Sequence, residues 1–127
     1  MGNKRSPERQ QLYTDIVTTA VEGGINYWAR VCDYEYSDTF FGDSTNDASA
    51  TVIEYGDSET EVARYKLTTA TVAKAFGIMR KGPVEYLGEA MRKHYLKEYQ
   101  FPENADFDAN DADNIVQIGL FGKVVYG

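Results

Sequence analysis

A chain of 127 residues fits one domain and is long enough to bury roughly two thirds of the surface it would expose unfolded. Its 20 acids against 13 Lys and Arg, a net charge of −7, argue against general binding to a nucleic-acid backbone, which draws on clustered cations. One Cys precludes an intrachain disulfide, and no apolar run suits a membrane span or a signal peptide, so a cytoplasmic protein with no membrane association is expected.

The start, MGNKRS, fits the loose myristoylation pattern M-G-x-x-x-[ST], with Lys4 and Arg5 inside it. The competing reading is a helix start, with Ser6 as N-cap, Pro7 at the first helical position and Glu8 near the positive dipole end. Residues 1–6 are expected to be flexible. From 7 to about 22, Leu12, Ile16, Val17, Ala20 and Val21 fall at helical spacing, and Gly23-Gly24 would supply a left-handed stop. Residues 25–36 switch to period two, with β-branched and aromatic residues throughout, and read as a strand. A loop of about a dozen residues, SDTFFGDSTNDA, leads to two short strands, 50–55 and 61–67, which flank the turn signal GDSET as a hairpin.

The second half reads as helical. Thr68 or Thr69 caps ATVAKAF, and a longer helix runs from Pro83 to about Tyr99 with Val84, Leu87, Met91 and Tyr95 as its stripe. After the acidic loop PENADFDAN, Asp111 or Asp113 caps NIVQIGLFG, whose apolar residues surround the axis as in a buried helix, with Gly119 and Gly122 permitting close backbone approach. The pattern predicts a single α+β domain over 1–127: a three-stranded antiparallel sheet, preceded by one helix and followed by about three helices packed on it.

Charge is unevenly spread. Nothing between Arg30 and Arg64 is basic, yet that span holds Asp33, Glu35, Asp38, Asp43, Asp47, Glu54, Asp57, Glu59 and Glu61. Residues 64–97 are rich in Lys and Arg, and a second acid cluster runs from Glu103 to Asp113. This is either a solvated surface that favours solubility, or an acidic face for a basic partner or a mimic of DNA phosphates.

Catalytic signatures are missing from the sequence. The one His, His94, stands among Arg92, Lys93 and Lys97 with no partner motif, and one His plus one Cys cannot furnish a zinc site. Asp106, Asp108 and Asn110 occupy the first, third and fifth places of a calcium loop, but Asp111 stands where the turning Gly belongs and Gln117 where a bidentate Glu is required. No catalytic residue, metal site or cofactor is therefore expected.

The stretch VEGGINYWARVCDYEY carries the one Trp, the one Cys, three Tyr and one Arg. Strict alternation places Trp28, Arg30, Cys32, Tyr34 and Tyr36 on one strand face, while Arg64 and Lys66 share a face in the hairpin. Aromatic planes beside Arg suit stacking on a base and forking onto phosphate. The candidate ligand-binding residues are Tyr27, Trp28 and Tyr34 for stacking, and Arg30, Arg64 and Lys66 for phosphate. Cross-strand packing, a cation–π pair or a dimer face would use the same residues.

EGGINYW (22–28) and DADNIVQIGLFGKVVYG (111–127) resemble small accessory proteins of actinobacterial tailed phages, for which no activity is established. The resemblance implies expression in the host bacterial cytoplasm. By analogy of class it suggests an anti-defence role, like the anti-Thoeris and anti-CBASS sponges that sequester nucleotide immune signals. The expectation is a non-catalytic, homo-oligomeric protein that binds a nucleotide-derived small molecule; the alternative is an acidic inhibitor of a host defence protein. A cation-dependent phosphodiesterase would need carboxylates to converge on one ion, which nothing in their spacing shows.

Overall fold

In the computed structural model, which describes residues 6–38 and 46–127, Ser6 caps the first helix. Its hydroxyl accepts the Arg9 N–H at 3.1 Å, and Pro7 opens α1 (Pro7–Thr19). The remainder of the myristoylation-like motif lies outside the described residues, as does much of the loop after Ser37, Asp43 included. Beyond Thr19 the helix widens into a π-helical turn, Ala20–Gly24, instead of stopping on a left-handed glycine. Gly24 is required there for its size: a Cβ would fall 2.8 Å from the Ala109 carbonyl oxygen.

The sheet is β1 (Ala29–Asp38), β2 (Asn46–Glu54) and β3 (Ala63–Thr68), antiparallel in the order β1-β2-β3. The hairpin expected around GDSET is present. The first strand begins later than its composition suggests, because Trp28 and Ala29 both donate to the Ile25 carbonyl, at 3.1 and 3.0 Å, and close a turn. Thr68 caps α2 (Thr69–Lys81) through a reciprocal box with Thr71.

Pro83 does not start the third helix. Tyr86 has φ +66, a left-handed conformation that breaks helical continuity, so α3 runs from Glu89 to Gln100 behind an N-cap at Gly88. Of the expected stripe, Tyr95 and Val84 are buried, Leu87 is half-buried and Met91 is exposed. A 3-10 turn, Pro102–Asn104, leads to α4 (Ala109–Phe121). Its cap is Asp108, boxed with Asp111, and not Asp111 or Asp113. The acids that imitate a calcium loop are therefore partly engaged in capping: Asp108 accepts the Asp111 N–H at 2.8 Å, and Asp111 returns the contact at 3.2 Å.

One face of the sheet packs on helices α1, α2 and α4, as the α+β pattern requires. The core joins Leu12, Ile16 and Val17 of α1, Val52 and Leu67 of the sheet, Val72, Phe76 and Met79 of α2, and Ile115, Val116 and Ile118 of α4. Seven of the eight residues of α4 from Ala112 to Gly119 are buried, all but Asn114, as its apolar circumference requires. Among the described residues no helix is long and apolar enough to cross a membrane.

Candidate ligand-binding face

Strand register sorts the six candidate residues. Residues opposite one another in antiparallel strands point to the same side. The rows Arg30–Ile53–Arg64 and Cys32–Thr51–Lys66 therefore share one face, and Val31–Val52–Tyr65 the other. Val52 is fully buried against the helices while Arg30, Arg64 and Lys66 are exposed, so the cations stand on the face that no described helix covers. Ile53 lies between two arginines and is only 6% exposed, as expected if their aliphatic stems lie over it.

Tyr55 adds an aromatic ring to this cluster: the Arg30 guanidinium stands 5.4 Å from its centroid. Arg64 is held by Glu61 through a fork, Nε at 2.6 Å and the second contact at 3.0 Å. The fork raises the Arg64 pKa and lowers that of Glu61, and the Cys32 thiol and Tyr55 phenol also lie within electrostatic reach of Arg64. Arg30, Tyr55, Arg64 and Lys66 thus form an open cationic strip with one ring beside it. Tyr55 is not among the six candidates, although it ends the predicted strand 50–55 and period two from Ile53 puts it on this face.

The other candidates lie elsewhere, which corrects the single-face reading. Asp33 has φ +53 and takes up a bulge between the Cys32 and Glu35 pairings, so the side-chain phase flips after Cys32. Tyr34 consequently meets α1, its hydroxyl 3.0 Å from the Thr18 hydroxyl, and Tyr36 pairs with Ala48, whose side the core occupies. Trp28 precedes β1 altogether and is 1% exposed, stacked on Tyr126 at 5.1 Å with the planes 10° apart and tilted against Phe121. Its indole has no face left for a base. Tyr27 is more than half exposed, but its hydroxyl donates to Asp113 at 2.5 Å.

Trp28 and Tyr27 belong to a polar network that joins residues 22–28 to residues 111–127. Asp113, 2% exposed, accepts the Trp28 indole N–H at 2.9 Å and the Gln117 amide at 2.8 Å on one oxygen, and Tyr27 on the other. Gln117 accepts the Val125 and Tyr126 N–H groups, each at 2.7 Å, and donates to the Tyr126 carbonyl at 3.0 Å, pinning the C-terminal segment. Glu54, also buried, accepts Tyr65 at 2.9 Å and the Tyr126 hydroxyl. Among the described residues no cation pairs with either carboxylate; phenols, an indole and an amide satisfy them instead.

This donor set has a pH signature. Burial, reinforced by the Glu54 contact, pushes the Tyr126 phenol up to about 12, and burial together with Asp113 raises Tyr27 as well. The folded chain thus keeps the Tyr126 proton through a range where the unfolded chain, titrating near 10, releases it. The contribution is complete below pH 10 and is lost as pH rises from 10 towards 12. Urea midpoints should fall over that interval, and Tyr126→Phe should flatten the fall while costing about 1 kcal/mol at neutral pH. Parallel curves for the two proteins would contradict this assignment.

Comparison with protein-family models, curated proteins and solved structures finds no significant match to the chain.

Proposed function

We propose that this is a non-catalytic, phage-encoded protein that sequesters a small nucleotide-derived immune signal in the cytoplasm of the infected host. The observation that carries the reading is the register that sets Arg30, Arg64 and Lys66 on the uncovered sheet face, with Tyr55 against Arg30. The Arg30 fork and the Lys66 ammonium suit phosphate oxygens, with Arg64 already held by Glu61 at their side, and a phenol beside Arg30 suits the edge or face of a base. The strip is open, so a second copy closing over it would desolvate the ligand and complete the pocket; the protein acts as a homo-oligomer on this reading.

Calorimetric titration with mononucleotides, cyclic dinucleotides and cyclic ADP-ribose isomers tests it. One class should bind, Arg30→Ala should weaken it by about one to two decades, and Lys66→Ala by about one, since each removes a charge-assisted contact. Light scattering at micromolar concentration should show at least a dimer. Silence across the panel, or unchanged affinity in both variants, rejects the reading.

The alternative, an acidic inhibitor of a host defence protein, draws on the exposure of Asp33, Glu35, Asp57 and Glu59. Neutralising those four should abolish salt-sensitive association with the partner while leaving nucleotide binding unchanged.

A further inference from the structure

We propose that the groove between α2 and α3 is a second binding site, one for a small anion carrying two or more adjacent phosphates. The groove, about 460 Å³, is lined by Arg80, Lys93, Leu96, Lys97, Tyr99 and Gln100. That volume is the size of a small-molecule site. On a chain of net charge −7, its lining holds three cations and no carboxylate.

Two acids of α3 have partners of their own: Glu89 grips Arg92 at 2.6 Å while lying within electrostatic reach of Lys93, and Glu98 accepts the Asp106 N–H at 3.0 Å. Among the described residues neither Lys93 nor Lys97 forms an ion pair. The two lysines lie one turn apart on α3 and project on the same side, and Arg80 reaches the groove from the last turn of α2. Arg80 is oriented by Tyr99, its guanidinium 5.2 Å from the ring centroid. Tyr99 is itself held by Arg9 at 3.9 Å and Phe76 at 4.8 Å, and its carbonyl accepts from Arg9. With that ring occupied by its neighbours, the groove recognises the charge and length of a phosphate chain and not a nucleobase.

The site is independent of the sheet strip, and inorganic triphosphate is the probe. Calorimetry at 0.15 M salt should show saturable binding of one triphosphate per chain, at least tenfold tighter than orthophosphate or sulfate. The double variant Lys93→Ala, Lys97→Ala should lose roughly tenfold or more, and Arg80→Ala a similar factor, whereas Lys123→Ala, an exposed cation outside both the groove and the sheet strip, should leave the titration unchanged. Arg80→Lys should fall between, because it keeps charge and loses the fork. The lysines are exposed, so their variant should keep the native melting curve and decides the matter even if Arg80→Ala is destabilised. Unchanged affinity in the lysine variant, or equal binding of sulfate, overturns the proposal and leaves Arg80 and Lys97 as complements to the C-termini of α2 and α3.

Discussion

Gly119→Ala should cost the fold about 3 kcal/mol or more. Gly119 sits in α4 where that helix crosses α2, and an added Cβ would overlap the Thr71 carbonyl oxygen and stand 2.7 Å from Thr71 Cγ2. Overpacking of this kind commonly costs roughly 1–3 kcal/mol, and here the obstacle is backbone, which cannot turn aside like a flexible side chain. Moving Thr71 would also disturb the α2 cap, because the Thr71 hydroxyl accepts the Thr68 N–H at 3.1 Å, a contact of the kind worth about 1 kcal/mol. In a domain this size the loss corresponds to a melting temperature lower by roughly 10–15 °C. Urea unfolding followed by emission from the buried Trp28 measures it. Gly77→Ala is the control: its nearest neighbour to a new Cβ is 3.9 Å away, inside α2, so that change should stabilise by about 0.5–1 kcal/mol. Equal effects at the two glycines would refute the close-crossing argument.

The order of elements was legible because the hydrophobic period changes sharply along the chain, from helical spacing over 7–22 to alternation and back again after Thr68. The hairpin, its partners and the buried character of α4 followed from the same signal. Local backbone was where the reading slipped. Asp33 and Tyr86 adopt positive φ with no glycine to announce it, so one strand changes phase and one helix starts at Glu89 instead of Pro83. Half of the candidate residues fall on one face because Arg30, Arg64 and Lys66 lie before the bulge or on another strand; Tyr34 lies after it.

Asp113 was the larger omission. An acid at the start of an apolar run looks like a cap, and only the i, i+4 pairing with Gln117 on a core-facing side hinted otherwise. Buried polar residues are placed by partners far along the chain, here 85 and 86 positions away, and spacing within one helix cannot disclose them. The same distance explains why Trp28 looked available for stacking: the ring that covers it, Tyr126, lies in the C-terminal segment beyond α4.

Asp113→Ala should destabilise the protein by about 3–4 kcal/mol, and the loss should be traceable to Trp28. Truncation removes a carboxylate that accepts three hydrogen bonds, but the three donors differ in what remains to them. Tyr27 is half exposed and regains water, and Gln117 keeps its 3.0 Å contact to the Tyr126 carbonyl. The Trp28 indole, 1% exposed, keeps nothing, so its buried N–H bears the full desolvation penalty of about 1–3 kcal/mol beyond the lost charge-assisted bonds. Asp113→Asn retains one carbonyl for the indole and should cost less, about 1–2 kcal/mol. Combining Asp113→Ala with Trp28→Phe removes the stranded donor, so urea denaturation followed by far-ultraviolet circular dichroism should give a double variant at least 1 kcal/mol more stable than the sum of the singles predicts. Strict additivity would mean that Asp113 acts on the fold by some route other than holding Trp28, and the network described above would lose its central contact.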